Sequence, residues 1–314
     1  MAFSRHDVHG AWDDSDPATE QALAGSYGRP PAVYRLPMST RVGAVELQIS
    51  HLARSLEYYQ PVLGLSIVAQ DRDTVSLGGV GATEPMVILR DVRGTRPVVP
   101  GSRLGLYHFA IRLPDRPALG RFITHLSAIG ARAASSDHLV SEALYLQDPD
   151  GLGIEVYVDR PRTAWRRMGR ELVMATEPLD VADLVRAASG VPWTGMPIDT
   201  VMGHVHLHVG DLHAADAFYA EGLGFDRMVW RYPGALFLGA GGYHHHLGTN
   251  TWARGASAPR VDEAKLLAWT IVLPSADEVA ALRDHLVARG VAVTDAPDGM
   301  LLADPWGTPV RVRS

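Results

Sequence analysis

The side chains best able to do chemistry in this chain are its histidines. There are 14 in 314 residues, and histidine is both the commonest metal ligand and the usual acid or base near neutral pH. His204, His206 and His208 alternate in Met-Gly-His-Val-His-Leu-His-Val (202–209). On a strand all three face one side, with Val205, Leu207 and Val209 on the other. Tyr243-His244-His245-His246-Leu247-Gly248 sets three more in a row. His108 lies in the apolar run Gly-Leu-Tyr-His-Phe-Ala-Ile (105–111), and Glu155 follows Asp148-Pro-Asp-Gly151. Cysteine is absent, which excludes disulfides, a thiolate metal site and a cysteine nucleophile.

The elements that must hold these residues recur along the chain. Val42-Gly-Ala-Val-Glu-Leu-Gln-Ile49 matches Met202–Val209, and Ser55-Leu-Glu-Tyr-Tyr-Gln-Pro-Val-Leu-Gly-Leu65 matches Ala215-Asp-Ala-Phe-Tyr-Ala-Glu-Gly-Leu-Gly-Phe225, both at an offset of 160. His108–Pro114 likewise matches Ala268–Pro274, and Asp148-Pro-Asp-Gly151 matches Asp304-Pro-Trp-Gly307. A repeat found in several motifs at matching offsets outweighs any single secondary-structure assignment. The chain therefore reads as four units, each a strand, a helix and further strands, over 41–95, 104–160, 201–252 and 264–314. The first two units make one region (41–160) and the last two another (201–314). Residues 161–200 are a linker with one amphipathic helix in Asp180–Ser189. Residues 1–40, rich in Gly, Pro, Ser and Asp, read as an irregular arm with a short helix over Pro17–Ala24.

Composition narrows the function classes. With 46% hydrophobic and 20% charged residues the chain is ordinary for a globular protein. A net charge of −6 without a basic stripe speaks against nucleic acid as a partner. No apolar run approaches the ~20 residues of a membrane span, and the polar, acidic start is unlike a signal peptide, so a cytoplasmic location is expected. Trp165-Arg-Arg-Met-Gly-Arg170 reads as a solvated linker or interface. Gly239-Ala-Gly-Gly242 has no helix after it to cradle a phosphate.

Taken in order, the strand, the helix ending in Phe/Tyr-Tyr then Leu-Gly-Phe/Leu, and the strand after Asp-Pro-Asp-Gly resemble the vicinal oxygen chelate superfamily, which includes glyoxalase I, bleomycin-resistance proteins and extradiol dioxygenases. Gly105–Ile111, Ser141–Gly151 and Gly241–Gly248 resemble its bacterial catechol-2,3-dioxygenase branch. The resemblance implies an α+β fold in which four βαβββ units close into two cups. It places ligands on the first and last strands of a unit, the first-strand ligand seven residues before an Asp. His108 precedes Asp115 by seven and His204 precedes Asp211 by seven, while Glu155 takes the last-strand position. Units 1 and 4 are blank, with Ala44 and Ala268 at the first-strand positions and Arg311 opposite Glu155. The ligands come together only if unit 2 pairs with unit 3, leaving units 1 and 4 as a non-catalytic cup.

Two histidines and one carboxylate leave open positions on Fe(II), the arrangement of non-haem oxygenases; Mn(II) suits the same donors. The implied activity is extradiol cleavage of catechol or a substituted catechol by O₂, giving a muconic semialdehyde. By the same resemblance the run Tyr243–Gly248 sits on the last strand of unit 3, and His245 in it is the acid or base that helps deprotonate the diol, the role moving to His246 if the register slips by one. Tyr145, ten residues before Glu155, binds a substrate oxygen. His138, near Ser141, reaches the site from a loop, and His206 is a substrate contact beside His208 in the cup lining. The rival readings are a glyoxalase-like isomerase or lyase, which carries a second carboxylate on the unit-3 strand, and a metal-free binding or resistance protein. A small aromatic diol and O₂ are the expected partners, and a homo-oligomer the expected assembly.

Overall fold

The computed structural model describes residues 19–314. Part of the helix expected over Pro17–Ala24 lies outside them. The remainder is not helical: β1 (Glu20–Gln21) pairs antiparallel with β10 (Arg166–Met168), which pairs with β11 (Glu171–Leu172). The backbone groups that a helix would have satisfied internally are taken by the linker instead, and Ala22 N–H donates to Trp165 O at 2.9 Å. Trp165 is buried and Arg167 pairs with Glu20. The basic run of the linker thus supplies the middle strand of a small sheet, with Trp165 buried at its start and Arg166–Met168 half-buried.

The four units appear as the repeat requires. Unit 1 comprises β2 (Arg41–Ile49), α1 (Leu52–Tyr59), β3 (Ser66–Gln70), β4 (Thr74–Gly78) and β5 (Val87–Asp91). Unit 2 comprises β6 (Gly105–Arg112), α2 (Arg116–Ala128), β7 (Ala134–Asp137), β8 (Ser141–Gln147) and β9 (Gly153–Asp159). The linker carries α3 (Val181–Ala187). Unit 3 comprises β12 (Val201–His208), α4 (Leu212–Ala215) running into a π-helical turn at Asp216–Ala220, β13 (Asp226–Val229), β14 (Ala235–Gly239) and β15 (Leu247–Asn250). Unit 4 comprises β16 (Lys265–Val272), α5 (Ala276–Ala288), β17 (Thr294–Ala296), β18 (Gly299–Ala303) and β19 (Pro309–Arg313).

Two eight-stranded sheets result. One runs β13-β14-β15-β12-β6-β9-β8-β7 and joins units 3 and 2 through the antiparallel pair β12–β6. The other runs β17-β18-β19-β16-β2-β5-β4-β3 and joins units 4 and 1 through β16–β2. In every unit the first and last strands are parallel neighbours. This adjacency is what lets donors on a first strand and a last strand meet.

The seven-residue spacing has a local cause. Seven residues beyond His108 and His204 stand Asp115 and Asp211, the N-caps of α2 and α4, whose carboxylates accept from Ala118 N–H and Ala214 N–H. His51 and Ser275 cap α1 and α5 at the same distance from Ala44 and Ala268. An N-cap side chain satisfies an otherwise orphaned amide and contributes about 1 kcal/mol. The Asp-Pro-x-Gly turns are also explained. Asp148 accepts from the amides of Asp150 and Leu152, Asp304 from those of Trp306 and Thr308. Tyr59 and Tyr219, the recurring tyrosines of units 1 and 3, donate to Asp148 and Asp304. These two bonds tie each sheet to the other. One apolar cluster holds Val45, Leu47 and Ile49 together with Val205, Leu207 and Val209. Among the described residues no helix is long and apolar enough to cross a membrane.

Candidate metal centre

The sheet of units 2 and 3 brings His108, Glu155 and His204 together. One donor atom from each lies within 4.8 Å of the others, and all three residues are buried. Glu155 Oε2 is 3.0 Å from His108 Nε2 and 3.2 Å from His204 Nε2. Donors each about 2 Å from one metal ion and meeting near right angles stand roughly 3 Å apart, the separation seen here. His108 Nε2 is close to the carboxylate but not aligned to hydrogen-bond it, so a buried nitrogen is left without a partner. Such an orphan costs free energy unless something else takes its lone pair. The cluster therefore fits a divalent cation.

Electrostatics agree. Burial opposes charge on Glu155, yet His204 and His108 hold its carboxyl well below the usual range. Burial pushes His204 down to about 4, the Glu155 contact only partly offsetting it. Glu155 is thus held as a carboxylate and His204 as a neutral imidazole, the protonation states a metal requires.

The strand register also tells how many donors there are. β6 and β9 set Ala110 opposite Glu155; β12 and β15 set His206 opposite Gly248. Gly248 thus occupies in unit 3 the place of Glu155 in unit 2. A Cβ added there would stand 2.9 Å from the His206 ring, so a second carboxylate requires His206 to move. In the other sheet the equivalent places hold Ala44, Ala268, Ile88 and Arg311, none of which is a ligand for a divalent cation.

The remaining sequence-predicted residues divide. Tyr145 on β8 has its ring 5.5 Å from that of His108 and its hydroxyl 2.6 Å from His138 Nε2. His138 Nδ1–H is spent on the Ala175 carbonyl at 2.7 Å, which leaves Nε2 to accept from Tyr145. His206 meets His108 edge to face with the rings 5.0 Å apart, and its Nε2 accepts from the Asn250 amide at 3.0 Å. His208 donates from Nδ1 to Asn250 Oδ1 at 2.7 Å.

The triple-histidine run lies in the turn before β15, not on the strand as the sequence suggested, because strand pairing resumes only at Leu247. Within it His245 is 4.1 Å, ring to ring, from His204, and burial together with His204 and His244 keeps it neutral. His246 turns away: its Nδ1 accepts from Ala240 N–H, and its ring lies against Tyr243 and Phe225. His246 lines a cavity of about 600 Å³ shared with Arg112, Arg162 and Tyr243, whose lining does not include the three clustered donors. Tyr107, Phe237, Trp252 and Asn250, which surround His206 and His208, carried no sequence signal beyond their place on or beside strands.

The sequence model of the Glyoxalase/Bleomycin resistance protein/Dioxygenase superfamily matches residues 41–156 and 201–310. A protein of Bacillus subtilis (strain 168) named catechol-2,3-dioxygenase is 40% identical over 272 residues, which cover 85% of this chain and 94% of that one. Among solved structures, a Bacillus subtilis protein provisionally described as a dioxygenase superposes with a TM-score of 0.62 at 12% identity, covering 89% of this chain and 86% of its own. Glyoxalase I from Zea mays superposes at 0.51 with 18% identity, covering 88% and 92%. At such identities the two structures speak to fold alone.

Proposed function

The chain belongs to the Glyoxalase/Bleomycin resistance protein/Dioxygenase superfamily, and from that membership we propose that it is a metal-dependent extradiol dioxygenase that opens the ring of catechol or a substituted catechol. The observation that carries the reading is the His108–Glu155–His204 cluster with Gly248, not a fourth donor, in the remaining place. The relative named catechol-2,3-dioxygenase supports the same substrate class.

His108, Glu155 and His204 would hold the metal, with Fe(II) the ion proposed and Mn(II) the alternative that the same donors suit. When bound, such an ion would supply Lewis-acid and redox chemistry at one centre for both the diol and O₂. The chain's own residues do the rest. His245, neutral beside His204, accepts a proton from a diol hydroxyl. Tyr145, its hydroxyl held by His138, presents its oxygen to the diol. Tyr107, Phe237 and Trp252 wall the cup with aromatic surface, which suits a flat ring and limits water. The test is O₂ uptake in the Fe(II)-loaded protein supplied with catechol, with a thiol hemiacetal as the rival substrate. Uptake matched to a ring-opened product supports the reading. Anaerobic turnover of the hemiacetal with no O₂ uptake on catechol overturns it.

A further inference from the structure

Asp159, His244 and His245 stand in line behind the metal cluster. Asp159 Oδ1 lies 2.7 Å from His244 Nε2, and His244 Nδ1 lies 2.7 Å from His245 Nδ1. An ionised carboxylate only accepts, so His244 carries its proton on Nε2. A neutral imidazole then has Nδ1 as an acceptor, and the bond to His245 requires His245 to donate from Nδ1. That leaves Nε2 of His245 unprotonated and free to accept. We infer that Asp159 and His244 are positioning residues that fix this tautomer of His245, so that its Nε2 is the proton acceptor for the bound diol. The inference rests on the dioxygenase reading for the identity of the diol, but the hydrogen-bond chain stands apart from it.

Two further observations support the chain. Asp159 is itself held: Tyr243 donates to Oδ1 at 3.0 Å, and Arg112 Nη1 approaches Oδ2 at 3.2 Å. Burial opposes charge on Asp159, but His244, Arg112 and Tyr243, the polar groups that face the carboxylate, outweigh it and hold the carboxyl below its ordinary value. The repeat supplies an internal control. At the offset of 160, Glu84, Pro85 and Met86 stand where His244, His245 and His246 stand in unit 3. Pro85, at the place of His245, has no side-chain nitrogen to donate or accept, and that sheet is the one without metal donors. The arrangement thus accompanies the cluster rather than the fold. When His245 Nε2 takes the diol proton, the resulting imidazolium is stabilised through His244 by the Asp159 carboxylate, and no other bond changes. This is the logic by which a buried aspartate orients a catalytic histidine in a serine protease.

The test reads the tautomer directly and then its kinetic consequence. In the full chain without metal, ¹⁵N NMR of the imidazoles should show His245 protonated at Nδ1 and bare at Nε2. Asp159→Asn can donate to His244 Nε2 and invert the chain, so its His245 should move its proton to Nε2. In the Fe(II)-loaded protein, Asp159→Asn should keep the metal stoichiometry and a KM within about threefold, while kcat falls by about 10- to 100-fold, the scale of lost acid–base help. His244→Phe, which removes the acceptor, should lose as much, and His244→Gln, which can still accept from His245 Nδ1, should recover most of it. If His244→Phe does not fold, the Asp159→Asn and His244→Gln comparison still decides. The inference is overturned by a Nε2–H tautomer in the parent, by an unchanged kcat in Asp159→Asn, or by a loss that follows metal content alone. If the parent shows the expected tautomer but never opens catechol, the dioxygenase reading fails and the positioning role stands.

Discussion

Gly203→Ala offers a controlled perturbation of the metal centre, because the repeat provides its own reference in Gly43→Ala. The two glycines are 160 residues apart, one on each central strand pair. Neither has a left-handed φ, so alanine is tolerated by the backbone and only the new methyl matters. At Gly203 a Cβ would lie 1.9 Å from the hydroxyl of Tyr157. Tyr157 is fully buried, packs 4.9 Å from the His204 ring and shares a 2.6 Å hydrogen bond with Tyr243. A displaced Tyr157 bears on the His204 ring it packs against. At Gly43 the nearest atoms are methyls of Val272 and Thr270 at 2.9 and 3.2 Å, away from any donor. Overpacking of this kind costs about 1–3 kcal/mol, of which up to about 1 kcal/mol is returned by the stiffer unfolded chain. A net loss of roughly 0–3 kcal/mol is therefore expected, the larger in Gly203→Ala, where the new contact is closer, seen as a shift of the denaturant midpoint without a change in slope. Disturbing what orients a ligand weakens metal binding by roughly 10- to 100-fold, and this should appear in Gly203→Ala alone. Chemical denaturation and calorimetric metal titration of the two variants measure both effects. Unweakened metal binding in Gly203→Ala, or an equal weakening in Gly43→Ala, would refute the reasoning.

His245→Ala should keep near-full metal and bind catechol while kcat drops by roughly 10²-fold, since proton transfer is lost but no ligand is; if the metal goes with it, His245 is a fourth ligand. Tyr145→Phe should be milder, a loss on the order of tenfold in kcat/KM from one hydrogen bond of about 0.5–1.5 kcal/mol, read by steady-state kinetics; an effect as large as that of His245→Ala would give Tyr145 the proton-transfer role. Burial lowers His204 to about 4 and His246 to about 3 from an ordinary 6.5. Below pH ~6.5 the unfolded chain binds protons that the folded one refuses, so metal-free stability should fall by about 1.4 kcal/mol per pH unit for each such histidine. Thermal unfolding of His246→Gln, which keeps an acceptor for Ala240 N–H, should show a shallower acid limb than the parent, and an identical limb would show that His246 does not carry the effect.

The repeat was legible because each unit must solve the same local problems. The capping residue seven positions after each ligand place, and the tyrosine that reaches an Asp-Pro-x-Gly turn, leave fixed spacings. The joining of unit 2 to unit 3 was legible from where donors are absent, at Ala44, Ala268 and Arg311. What was hidden depends on contacts distant in sequence. The arm strand Glu20–Gln21 pairs with Arg166–Arg167, and neither segment has the length or alternation that marks a strand alone. The histidine run looked like part of a strand because its neighbours Leu247–Asn250 are one. The Asp159–His244 bond joins residues 85 apart in the chain, and a carboxylate ending β9 gave no hint of its partner.

The most direct test of the central claim is the product formed from catechol under ¹⁸O₂ by the Fe(II)-loaded chain, run beside Glu155→Ala. Mass spectrometry should find both atoms of one O₂ in a ring-opened semialdehyde from the parent, and no such product from a folded but metal-free Glu155→Ala. A product without label, or ring opening undiminished in Glu155→Ala, would contradict a dioxygenase centred on His108, Glu155 and His204.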